Sequence, residues 1–84
     1  MVQATNVKSL VLDYFLREVT EGRDVDPAED LFADGQIDSL KIVGVIGFVE
    51  SEFGLVIEDD DFEISNFSSV NAVCALIENR AQLS

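Results

Sequence analysis

Between Asn6 and Thr20 the apolar residues leave almost no polar face. Val7, Leu10, Val11 and Tyr14 recur at the spacing of one side of a helix, and Leu12, Phe15, Leu16 and Val19 widen that side well beyond a stripe. The polar remainder, Ser9, Asp13, Arg17 and Thr20, is one narrow line, with Asp13 and Arg17 a turn apart and oppositely charged. Such a helix needs cover on more than one side. The chain is thereby constrained to a helical bundle with this segment in its core.

The rest of the chain supplies the cover. Gly22 ends the first helix, and Asp24, Asp26, Pro27 and Gly35 mark a long loop up to Ile37. Within it Asp26-Pro27-Ala28-Glu29 has the pattern of a short helical turn, with Asp26 as cap, Pro27 in the first helical position and Glu29 at capping-box spacing. Leu31, Phe32 and Ile37 are expected to anchor the loop to the core. A loop of this length in so small a domain points to function. A second helix is predicted from Asp38-Ser39 to Phe53, stopped by Gly54. Its core face is Ile42, Val45, Ile46, Val49 and Phe53, and a second surface carries Leu40, Val43, Gly44 and Gly47. Two interior glycines cost about 1 kcal/mol each relative to alanine, so close approach of another backbone or a ligand is expected there. Glu58–Ile64 reads as a short acidic helix, its carboxylates at the positive end of the dipole. Asn66-Phe67-Ser68-Ser69 then caps a last helix with Val70, Val73, Cys74 and Ile77 as its buried stripe. Cys74, within that stripe, reads as a small core residue rather than a reactive thiol.

Composition removes whole classes of function. The 84 residues suit one domain, 1–84. With no histidine and one cysteine, zinc fingers, Cys/His nucleophilic pairs and Ser-His-Asp triads are excluded, as is an internal disulfide. No nucleophile–base pair remains, so the chain is not expected to be an enzyme; a serine that reacts here must borrow its base. No apolar run reaches the roughly 18 residues of a membrane span, and Met1–Asn6 lacks the basic and apolar parts of a leader, so a cytoplasmic monomer is expected. The 17 acidic residues against five basic ones give a net charge of −12, and 42–79 holds eight carboxylates and no Lys or Arg. That field repels nucleic acid and anionic lipid and suits partners with basic patches.

The stretch that carries chemistry is Leu31-Phe32-Ala33-Asp34-Gly35-Gln36-Ile37-Asp38-Ser39-Leu40. It sets a serine in the first turn of a helix, exposed, directly after an aspartate. A phosphate ester there would lie against unpaired backbone N–H groups and the positive end of the helix dipole. The same residues are also ordinary helix caps, and local chemistry alone does not separate the two roles.

Asp38-Ser39-Leu40, opening a helix after a long loop, resembles the Asp-Ser-Leu signature of the acyl carrier protein family. The likeness extends along nearly the whole chain, through Glu50-Ser51-Glu52-Phe53-Gly54-Leu55 at the end of the second helix and Asn66-Phe67-Ser68-Ser69-Val70 at the entry to the last. The resemblance implies an all-α four-helix bundle with three long helices, one short helix and a long first loop. It implies that Ser39 is esterified with 4'-phosphopantetheine by a phosphopantetheinyl transferase using coenzyme A. Asp38 would then assist the transferase and its metal, and Leu40 would pack against arm or partner. Val43, Gly44 and Gly47 fall at partner-contact positions, and the acidic loop and Glu58–Glu63 would guide docking. The implied partners are the transferase, an acyl- or aminoacyl-loading enzyme, and downstream synthases or transferases.

The departures from the family pattern matter as well. Lys41 follows the motif where many fatty-acid carriers have an acid, Gly47 replaces a larger apolar residue, and Gly44 replaces an acidic one. A flatter, less negative docking face is expected, and with it a dedicated polyketide, nonribosomal-peptide or aminoacyl-transfer pathway; the alternative is a housekeeping fatty-acid carrier. Two rivals stand beside this reading. An EF-hand-like calcium loop would place Asp30 first, Asp34 fifth and Asp38 ninth, but puts Phe32 third and Lys41 where a bidentate glutamate is needed. An adaptor that keeps the fold without the arm would leave Ser39 unused.

Overall fold

A computed structural model describes residues 4–83, and the side chains of residues 7–80. Met1–Gln3, the start of the stretch read for a leader, lie outside the described residues. Three α-helices, α1 (Ala4–Tyr14), α2 (Ser39–Phe53) and α3 (Val70–Leu83), form the fold, and no strand occurs among the described residues. None of these helices is long and apolar enough to cross a membrane.

The apolar first segment is indeed the centre. Val7, Val11, Phe15 and Val19 are buried, and α1 packs chiefly on α3, which contributes Val70, Val73, Leu76 and Ile77. Val45 and Val49 of α2 close the core, with Ile42, Ile46 and Phe53 packed half-buried at its edge. Leu10 stays at the surface, so the arc of α1 is narrower than its sequence suggests. Cys74 is only half-buried, on the margin of the α3 stripe; burial and the nearby Glu78 push its thiol pKa up. Leu76, absent from the predicted stripe, takes a place in the core.

After Tyr14 the helix widens into a π-turn, Phe15–Val19, in which the Thr20 amide donates to the Phe15 carbonyl at 2.9 Å. Glu21 and Gly22, both at positive φ, then turn the chain out of the helix. Asp26-Pro27-Ala28-Glu29 is a turn rather than a helical turn with a capping box: the Asp26 carboxylate accepts from the Ala28 amide and its carbonyl from the Glu29 amide. Pro27 accepts from the Asn71 amide at 2.9 Å, which pins this turn to the start of α3.

The loop anchors are Leu31 and Ile37, both buried; Phe32, expected beside them, is 39% exposed. Leu31 holds the loop twice over. Its side chain fills the core, its amide donates to Ser68, and its carbonyl accepts from the amides of Gln36 and Ile37. With that backbone closed on itself, neighbouring Phe32 is directed outward.

The acidic segment differs most from expectation. In place of a short α-helix over Glu58–Ile64 there are two 3-10 turns, Asp59–Asp61 and Ile64–Asn66. Four consecutive carboxylates at 58–61 repel one another at helical spacing, and β-region backbone at Glu58 and Glu63 bounds each turn. The segment is held both from outside and by its own bonds. Arg80 of α3 forms an ion pair with Asp61, whose carboxylate also accepts from the Glu58 amide and whose carbonyl accepts from the Asn66 side chain. Ser69 caps α3 through its hydroxyl, which accepts from the Ala72 amide, and Phe67 beside it is buried in the core.

Candidate functional site

The loop that closes on Leu31 delivers Asp38 in extended backbone, φ −131 and ψ −176, directly ahead of α2. Its carboxylate accepts from the Lys41 amide at 2.9 Å and its carbonyl from the Ile42 amide at 2.9 Å. Asp38 is thus the N-cap of α2. The amides of Ser39 and Leu40 take no part in the cap's hydrogen bonds, and they stand at the positive end of a fifteen-residue helix. Ser39 itself is exposed in the first turn.

Beside Ser39 lies a hollow of about 130 Å³, walled by Ile42 and Ile46 of α2 and by Phe62, Glu63, Ile64 and Phe67. Apart from Ser39 and Glu63 its walls are hydrocarbon. Sequence reasoning placed Ile42 and Ile46 in the core and Phe62 and Ile64 in an acidic helix, and missed that they face one another. The alternation Phe62-Glu63-Ile64 within a carboxylate-rich stretch was the available signal, since a surface segment has no need of two large apolar residues.

The surface predicted for partners lies on α2 away from the core. Leu40 is 80% and Val43 65% exposed, and Gly44 and Gly47 are exposed beside them. The two glycines differ in origin. A Cβ on Gly44 would meet the Tyr14 hydroxyl of α1 at 2.9 Å, whereas one on Gly47 would meet nothing within 4 Å. Close approach therefore explains Gly44, but the approaching group is a tyrosine rather than a backbone, and nothing in the fold requires Gly47. Tyr14 is fixed over Gly44 by stacking on Phe48, with ring centroids 4.3 Å apart. Burial, reinforced by Glu18, pushes its phenol pKa up.

Lys41 does not present its charge on this face. Its ammonium turns inward and donates to the carbonyls of Val19, at 2.8 Å, and Gln36, at 3.2 Å. The carboxylates of the first loop are likewise engaged locally. Asp30 accepts from the amides of Phe32 and Ala33, and Glu29 is paired with Arg23. The Glu29 and Asp34 carboxyls, which can hydrogen-bond when one of them is protonated, push the pKa of Glu29 down and that of Asp34 up. Asp30 and Asp38 of the hypothetical calcium loop thus serve a turn and a cap, and no cluster of three ligating side chains forms among the described residues.

The structure is a small helical domain with an exposed serine at the mouth of a helix. A family model for the phosphopantetheine attachment site matches residues 9–77, and the chain belongs to that family. Domains of this kind bear covalent 4'-phosphopantetheine and serve as carriers rather than catalysts, working with a phosphopantetheinyl transferase and partner enzymes. Comparison with curated protein sequences gives no match. The residues present suit the group: Ser39 is exposed, the Ser39 and Leu40 amides at the helix mouth lie outside the Asp38 cap's bonds, and a largely apolar hollow lies alongside.

Proposed function

We propose that Ser39 is the residue that carries the arm, and that the arm's terminal thiol holds acyl or aminoacyl groups as thioesters for presentation to successive enzymes. The observation that carries this reading is the exposed Ser39 hydroxyl in the first turn of α2, before amides that the Asp38 cap does not use. Attack of that oxygen on the pantetheine-bearing phosphorus of coenzyme A forms the phosphodiester and breaks the pyrophosphate link, releasing adenosine 3',5'-bisphosphate. The serine proton passes to a base on the transferase, since the chain has no histidine of its own. Asp38 keeps the helix mouth open and offers its outer carboxylate edge to the transferase and its metal. The hollow walled by Ile42, Ile46, Phe62, Ile64 and Phe67, which Ser39 borders, would offer the arm's apolar parts shelter from water.

Leu40 and Val43, with Gly44 and Gly47 beside them on α2, form the docking face. Its flatness supports service in a dedicated polyketide, nonribosomal-peptide or aminoacyl-transfer pathway over a housekeeping fatty-acid one. Incubation with coenzyme A and a broad-specificity transferase, followed by intact mass spectrometry, tests the attachment. Wild type gains one arm and Ser39→Ala gains none. Labelling of the alanine variant would move the site elsewhere, and an unlabelled wild type would favour the armless adaptor.

A further inference from the structure

The Lys41 side chain joins three parts of the molecule that meet behind Ser39. Its ammonium donates to Val19 at the end of the first helix and to Gln36 in the last stretch of the loop, while its own amide is the one capped by Asp38. The carbonyls at the end of a helix need partners from elsewhere. Phe15 and Leu16 are served by the amides of Thr20 and Gly22, and Thr20 by that of Arg23. Val19 receives Lys41, whose positive charge also faces the negative end of the dipole. Gln36 precedes Asp38 by two residues, so the same ammonium ties the approach to α2 to the π-turn that follows α1. Without it, Leu31 and Ile37 would still hold the loop in the core, but no other hydrogen bond among the described residues links the Gln36–Asp38 approach to the end of the first helix.

We propose that Lys41 is a positioning residue for modification of Ser39: it clamps the Gln36–Asp38 approach between α1 and α2 and so fixes the orientation of the serine hydroxyl. This rests on Ser39 being the attachment site. The clamp acts through backbone carbonyls and leaves the exposed Leu40 and Val43 surface untouched, so its loss affects alignment more than docking.

The test is arm transfer from coenzyme A by a broad-specificity transferase, with kcat and KM for the carrier measured separately, on wild type, Lys41→Met and Lys41→Arg. Lys41→Met keeps the hydrocarbon stem and removes the donor. Its kcat is expected to fall about tenfold or more with KM within about twofold, because small misplacements of a reacting atom are costly in rate. Lys41→Arg, which restores a cation able to bridge two carbonyls, recovers most of the loss. Hydrogen exchange on the same variants should quicken at the amides of 36–41 while those of 73–77 keep wild-type protection. An unchanged kcat in Lys41→Met, a change in KM alone, or a uniform rise in exchange would overturn the proposal. If Lys41→Met does not fold, Lys41→Gln is read by the same criteria. A wild type that takes no arm overturns the Ser39 reading instead, and the exchange pattern then still reports whether the clamp exists.

Discussion

Gly44 and Gly47 stand three residues apart on one helix, yet they answer to different forces. At Gly47 a methyl group would meet open space, so Gly47→Ala should gain helix propensity and stabilise the fold by up to about 1 kcal/mol. In a domain of this size that is a rise in Tm of roughly 4–8 °C, measurable by thermal circular dichroism. At Gly44 the same methyl would press on the Tyr14 hydroxyl, the far end of a side chain that must swing off its stack on Phe48. Gly44→Ala should therefore show little or no gain in Tm, together with a changed near-ultraviolet tyrosine signal. Equal stabilisation by both alanines would mean that Tyr14 is free to move and that Gly44 is not shaped by it. Partner turnover gives Gly47 its other test, because a larger apolar residue there would alter the proposed docking face without touching the core.

Among the elements, α2 bears both the candidate site and the proposed docking face, and its two ends are built differently. Its start depends on the Asp38 carboxylate, so Asp38→Ala should cost about 1 kcal/mol, whereas Asp38→Asn keeps a capping oxygen and should cost only a few tenths. If the carboxylate also assists the transferase, Asp38→Asn retains its Tm but takes the arm more slowly, which separates cap from chemistry. Its end depends on Gly54 in the left-handed region at φ +65, where alanine should cost about 1–2 kcal/mol. Chemical denaturation of the three variants reads these costs directly. The acidic turns after α2 are closed from within by Glu58 and Asp61, whose amides donate to each other's oxygens, and are held from outside as well. They rely on Arg80 and on the Glu50 carboxylate, which accepts from the Ile57 amide at 3.0 Å.

At the scale of the whole molecule the net charge of −12 works against compaction, while under the proposed function it would serve recognition. The Tm should rise as salt is added from low ionic strength to about 0.5 M, where the Debye length shrinks to a few ångströms. Arm transfer by a partner with a basic surface should slow over the same range. A Tm that falls with salt would show that ion pairs such as Arg80–Asp61 outweigh the repulsion.

The periodicity of α1, the Gly54 stop, the Asp38 cap and the position of Ser39 were all legible along the chain, because each is decided within a few residues by helix geometry and backbone capping. The family likeness rested on the same local signals. Tertiary structure alone decided where side chains met from distant segments. Lys41, read as a charge on the docking face, turns inward because unpaired carbonyls of Val19 and Gln36 lie within its reach. Gly44 is small because of a tyrosine thirty residues earlier, and Phe62 and Ile64 wall a hollow beside Ser39 because Arg80 holds their segment against the bundle. A run of carboxylates could be expected to coil as a helix only while its mutual repulsion was left out. Local propensity places the elements; contacts between residues far apart in sequence determine what each surface presents.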